Sequence, residues 1–173
     1  MNRLQQAWVW LRRIGHCRGF GIQSPSDYRF VRYVVNEHWP YYAYAELGRT
    51  DDWLRRKLGL LYVRLANELQ PATVSDLVGV GEYVLAGCRK AKIGRQLVPS
   101  PDLLIAPAGA DVEQLLSSCG EQSVLVVEDI GRRSQARNQL LADGRTIVTF
   151  DLYYCGIAFF DKRRSRQHYI VNF

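Results

Sequence analysis

The run Val74-Ser75-Asp76-Leu77-Val78-Gly79-Val80-Gly81 is strand-like and leads straight into a helix-like stretch, Glu82-Tyr83-Val84-Leu85-Ala86-Gly87-Cys88-Arg89-Lys90. That is the layout of a nucleotide-binding β-turn-α unit. Glycines at such a turn let the backbone approach a ligand closely, and the unpaired N–H groups of the following helix favour an anion. Here the pattern is damaged: the third glycine of the dinucleotide fingerprint is missing, and Glu82 puts a negative charge where a ligand's carboxylate or phosphate would sit. The motif therefore constrains the fold more than the activity.

From Pro71 onward strands alternate with helices, the signature of a mainly parallel α/β sheet. Strands are expected at Val74–Val80, Leu103–Ala106 and Val124–Glu128, and helices at Glu82–Lys92, Asp111–Ser118 and Ser134–Ala142, with a short strand at Gln96–Val98 left open. The stretches Thr146–Asp151, Ile157–Phe160 and His168–Asn172 are rich in β-branched and aromatic residues without helical period, and predict an antiparallel meander closing one sheet edge.

Before Pro71 the periodicity is helical. Leu4, Trp8, Leu11 and Ile14 share one face; Phe30, Val31, Val34 and Val35 follow the start signal Ser24-Pro25-Ser26-Asp27. Trp39-Pro40-Tyr41-Tyr42 breaks the pattern, and a longer helix after Thr50-Asp51-Asp52 carries the stripe Leu54, Leu58, Leu61, Tyr62, Leu65 and Leu69, fit to cover a sheet. With 173 residues and 47% apolar content the chain suits a single domain, a helical extension over 1–70 followed by an α/β core over 71–173.

Cys17, Cys88, Cys119 and Cys155 form neither a CxxC pair nor a zinc-like cluster, so reduced thiols and a cytoplasmic location are expected. Arg12 and Arg13 interrupt the N-terminal apolar positions before a signal-peptide core forms, and no apolar run approaches the ~20 residues that cross a bilayer, so neither secretion nor a transmembrane segment is expected. An amphipathic contact with a membrane surface stays open. The formal charge of +6 permits anionic partners without naming one.

Three separated stretches carry a family resemblance. Arg18-Gly19-Phe20-Gly21-Ile22-Gln23-Ser24-Pro25 is similar to an R-G-x-G-I-H-S-P motif, with glutamine for histidine. Leu65-Ala66-Asn67 through Pro71 to Gly81 is similar to a helix, proline and first cofactor strand. Val124 to Ile130, with Thr149-Phe150-Asp151-Leu152 and Gly156-Ile157-Ala158-Phe159-Phe160, is similar to D-D-I and I-D-L-F-x-x-G-I-x-F-F segments. Together they resemble bacterial S-adenosylmethionine-dependent methyltransferases of the O-methyltransferase-like kind with an N-terminal helical extension.

The resemblance implies a Rossmann-like, methyltransferase-type sheet with helices on both faces and S-adenosylmethionine over the carboxyl ends of its strands. It would place Asp76, Gly79, Gly81 and Asp129 at the cofactor. The chain departs from the family there. Asp76 is followed by Val78 where the family has glycine, and the interval from Lys92 to Pro101 is too short for strand, helix and strand in series. The ribose-binding acid that strand would carry has no good counterpart, since Asp102 matches the start of the next strand better. Ala106-Pro107-Ala108-Gly109 replaces an acidic strand end, and none of these side chains can ligate a metal or transfer a proton. The expectation is a shortened member poorly equipped for S-adenosylmethionine binding and methyl transfer, with no assigned catalytic residue, metal or cofactor, acting as a binding or assembly module in a homo-oligomer or with a protein partner. An active methyltransferase and a basic nucleic-acid binder are the alternatives.

The remaining constellations have plain structural readings. Glu128-Asp129 offers a metal ligand or general base, or simply a strand end turning into Ile130-Gly131; Asp76 either faces a ligand or caps its own turn. His16, His38 and His168 are scattered. The basic clusters are dispersed along the chain, among them Arg55-Arg56-Lys57, Arg89-Lys90-Lys92-Arg95 and Arg132-Arg133; Lys162-Arg163-Arg164-Arg166, in a loop between strands, is the best placed for an anionic partner. Trp39, Tyr41, Tyr42 and Tyr44 are expected to pack the extension on the sheet.

Overall fold

The computed structural model describes residues 3–37, 39, 41–131 and 134–173, without the side chains of Arg18 and Ser134. His38, Pro40 and Arg132-Arg133 fall outside the described residues.

Seven strands form one sheet: β1 Thr73–Asp76, β2 Lys92–Gly94, β3 Leu103–Ala106, β4 Val124–Glu128, β5 Val148–Asp151, β6 Cys155–Phe159 and β7 Gln167–Ile170, in the order β2-β1-β3-β4-β6-β5-β7. The pairs β2–β1, β1–β3, β3–β4 and β5–β7 are parallel; β6 runs antiparallel to both β4 and β5. The fold is thus α/β with a mostly parallel sheet.

Strands buried on both faces read as continuous apolar runs, and alternate residues feed two cores. Leu103, Ile105, Val124 and Val126 point to one side, where they meet Leu58, Leu61, Tyr62 and Leu65 of α3 (Trp53–Leu69) and Tyr83 and Val84 of α4 (Gly81–Gly87). Leu104, Ala106, Leu125 and Val127 point to the other, against Val112, Leu115 and Leu116 of α5 (Val112–Ser118) and Ala136 and Leu140 of α6 (Ser134–Ala142).

Asp52 starts α3 by accepting from the N–H groups of Leu54 and Arg55, and Asp111 starts α5 in the same way. Ahead of them lie α1 (Arg3–Arg12), a 3-10 stretch Ile14–Gly19, and α2 (Pro25–Phe30), which widens into a π-helical turn Val31–Val35. Buried Arg64 of α3 donates to the carbonyls of Val34 (2.6 Å) and Val35 (3.2 Å), closing the end of that turn.

Several expectations change, and the helix expected over Glu82–Lys92 ends at Gly87. The strand at the glycine turn ends at Asp76, so Leu77–Val80 is turn, and the next strand is Lys92–Gly94 rather than Gln96–Val98. The C-terminal strands are not a simple meander: β6 is already paired on both edges, so β7 crosses to the free edge of β5 and lies parallel to it. The face Leu4, Trp8, Leu11 and Ile14, whose direction the periodicity leaves open, turns outward, with all four residues exposed. Trp39 and Tyr42 are exposed too, whereas Tyr41 and Tyr44 are half-buried and packed on each other.

Candidate functional site at the carboxyl ends of the strands

The chain leaves β1 toward β2 on one side and returns to β3 on the other, so the strand order reverses between β1 and β3. In open α/β sheets such a reversal opens a crevice beyond the carboxyl ends of the strands, and ligands bind there. The residues bordering it are Asp76 and the turn Leu77–Val80, Pro107–Gly109, and the end of β4 at Glu128-Asp129.

Asp76 is 1% exposed, and its carboxylate is engaged by its own turn. Oδ1 accepts from the N–H groups of Val78 (3.1 Å) and Gly79 (2.7 Å), and Oδ2 from Val80 (2.7 Å). These are the donors that a phosphate or carboxylate ligand would otherwise meet ahead of α4. Asp76 thus caps its own turn.

Gly79 has φ +94°, a conformation that only glycine adopts without strain. The turn is covered from outside by two cations that the motif reading did not single out. The Arg95 guanidinium lies where a Cβ on Gly79 would stand, and Arg55 donates to the Gly79 carbonyl at 2.7 Å. Gly81 needs no special backbone: a Cβ there would meet Asp76 Oδ2 and Ile93 at ordinary contact distances of 3.6 Å. The fold gathers Asp76, Gly79 and Gly81 on one turn and sets Asp129 at the same end of the sheet, two strands across, roughly 10 Å away by strand spacing. Asp129 has φ +54°, and its N–H donates to the Tyr154 carbonyl at 2.6 Å. Asp102 sits at the opposite end, where its carboxylate accepts from the N–H groups of Ala72 and Thr73 and ties the start of β3 to the start of β1.

A titratable group of a different kind lies on the α3 side. Burial holds the Glu128 carboxyl above its ordinary range, against a 2.7 Å hydrogen bond from the Tyr62 hydroxyl that lowers it. Tyr62 itself is fully buried and pushed well up, first by burial and then by the Glu128 charge. Cys155, paired with Glu128 across β4 and β6, is buried and likewise raised. Lys57, over the rings of Phe173 (4.2 Å) and Trp53 (5.5 Å), is lowered to about 8, first by burial and then by Arg64. The helical stripe marked Tyr62 only as core; nothing in its spacing tells that it would reach a strand-end carboxylate.

Further cavities lie toward the other sheet edge. One, of about 400 Å³, is lined by Gly21, Gln23, Ser24, Asp27, Arg164 and Tyr169 among others, so the glycine-serine-proline motif belongs to it. Buried Asp27 accepts from Arg164 and from the Tyr169 hydroxyl, fastening α2 to β7. The basic loop 162–166 is accordingly committed: Lys162 pairs with Glu121, Arg163 with Asp161, Arg164 with Asp27, and Arg166 donates to the carbonyls of Leu141 and Asp143. The cysteines are free thiols, and among the described residues no group of three His, Cys, Asp or Glu is arranged to hold a metal. Compared with protein-family models, curated proteins and solved structures, the chain matches none.

Proposed function

We propose that this chain is a shortened methyltransferase-like domain whose S-adenosylmethionine crevice is closed by its own side chains, and that it works as a binding or assembly module. The observation that carries this reading is the turn after β1: three N–H groups suited to a ligand are already bonded to Asp76, and Arg95 and Arg55 cover the glycine. The run from Arg95 to Asp102 goes from β2 to β3 without a helix, in keeping with loss of one strand-helix unit and of the ribose-binding acid it would carry. That leaves β2, three residues long and largely exposed, as an outer edge.

An unpaired sheet edge is a template for a further strand. A second copy, or a partner protein, completing the sheet beside Lys92-Ile93-Gly94 is the assembly this reading expects. Light scattering at high protein concentration tests it: an oligomer that dissociates in Ile93→Pro agrees, and a strictly monomeric wild-type chain counts against it.

A second reading, an active methyltransferase with a rearranged pocket, draws on Glu128, whose carboxyl burial raises and Tyr62 orients at the same end of the sheet as Asp76 and Asp129. Methyl transfer depends mainly on alignment of donor and acceptor, so it does not require a metal. Saturable S-adenosylmethionine binding that disappears in Gly81→Trp would favour this reading over the first.

A further inference from the structure

Helix α1 is held to the body by the face opposite its main apolar stripe. Its half-buried residues Gln6 and Val9, with Arg13 just beyond its end, recur at three- and four-residue spacing and form one face. Val9 packs on the core, and Arg13 reaches Asp151 Oδ1 at 2.6 Å and the carbonyls of Asp151 and Val171 at 2.9 and 3.1 Å. The opposite face holds Leu4, Trp8 and Leu11, continued by Ile14 at the start of the 3-10 stretch, exposed by 81, 62, 55 and 55%, with Trp10 (50%) at its margin. No residue of α1 is buried. An amphipathic helix ordinarily turns this stripe toward the core.

The charge on this segment has one sign. From Met1 to Ser26 the chain carries Arg3, Arg12, Arg13 and Arg18 and no Asp or Glu. Asp151 answers Arg13; among the described residues no carboxylate pairs with Arg3 or Arg12, and the Arg12 guanidinium lies 5.9 Å from the Trp8 ring centre. Beside the apolar face, on the flank of α1 that carries Arg12, a cavity of about 360 Å³ opens between Trp8, Arg12, Arg13, His16, Tyr153 and Ile170. It joins cationic and aromatic walls directly to the exposed stripe.

We propose that α1 is a membrane-docking helix: Leu4, Trp8, Leu11 and Ile14 enter the interfacial layer of an anionic bilayer, Arg3 and Arg12 sit at its rim, and the cavity beside Arg12 receives a lipid phosphate. A basic helix with Trp and Leu on one face lies in the membrane plane, and at ten residues α1 is too short to cross. Charge decides against a second copy on this face. An α1–α1 contact would bring Arg3 and Arg12 toward their equivalents, with no acid in the segment to offset them. Nucleic acid fits less well, because the exposed stripe of Leu4, Trp8, Leu11 and Ile14 offers a phosphate backbone no cation. The proposal is independent of whether the strand-end crevice holds a cofactor.

Flotation of the full chain with vesicles of phosphatidylcholine alone, or with about 30% phosphatidylglycerol added, tests it. The chain is expected to float with the anionic vesicles, to show a blue-shifted tryptophan emission there, and to be released by about 0.5 M salt. Trp8→Gln combined with Leu11→Gln should abolish flotation with the circular dichroism spectrum unchanged, since both residues are exposed, and Arg12→Glu should weaken it roughly tenfold or more. Any of three results overturns the proposal: no flotation with anionic vesicles, equal flotation with phosphatidylcholine alone, or flotation unaffected by the double substitution. Conversion of a dimer to a monomer by the double substitution, without vesicle binding by the wild type, would assign the face to a subunit contact instead.

Discussion

Asp76 and Asp151 are buried carboxylates at strand ends, and each is engaged by a different kind of donor. Asp76 is held by three backbone N–H groups of one turn. Asn in its place would keep one acceptor and turn an NH₂ toward a donor, so Asp76→Asn is expected to lower stability by about 1–3 kcal/mol in urea unfolding; a variant as stable as the wild type would show that the turn does not depend on the carboxylate. Asp151 lies between Arg13 and Arg137, both at 2.6 Å. Burial pushes its carboxyl up, but the two arginines and the Tyr153 N–H outweigh this and hold it below the ordinary value. Because the folded pKa is depressed, the stabilisation is fully present above the unfolded aspartate value of about 3.9 and is lost as pH falls through the lower folded one. The stability gap between wild type and Asp151→Asn should therefore narrow below about pH 4. A gap that stays constant down to pH 2 would contradict the pairing.

At the scale of elements, α3 and α4 approach too closely for a side chain at one point. A Cβ on Gly87 would collide with the Val63 carbonyl, and it would lie 2.9 Å from the Ala66 Cβ. In an exposed helix, Gly→Ala stabilises by up to about 1 kcal/mol; here Gly87→Ala should destabilise by about 1–3 kcal/mol, because the clash is with backbone that must move. The sign, read from thermal or urea unfolding, tests the helix contact. The elements with strong internal patterns were legible in the sequence. β3 and Val124–Val127 of β4 are apolar runs, and α3 and α5 start at their own capping residues, Asp52 and Asp111. What depends on neighbours was not legible. Lys92-Ile93-Gly94 has no pattern of its own and is a strand because β1 offers it an edge. β7 lies beside β5 because β6 has no edge left. The periodicity of α1 tells which residues share a face, but not which way that face turns.

At the scale of the molecule, the sheet places the candidate site where α/β folds commonly bind ligands, and the same end carries a raised Glu128 and a lowered Lys57. The motif residues Asp76, Gly79 and Gly81 were legible as a turn at that end, and the capping reading of Asp76 was available from its type and position. The covering by Arg95 and Arg55 was not, because it joins residues from β2's exit and from α3 that share no sequence pattern. The central claim is that this turn has taken its own carboxylate and cations in place of a cofactor. Isothermal titration of the purified chain with S-adenosylmethionine and S-adenosylhomocysteine, at millimolar ligand, tests it most directly. The account predicts no saturable binding of either ligand; stoichiometric binding of either would contradict it and favour the active-methyltransferase reading.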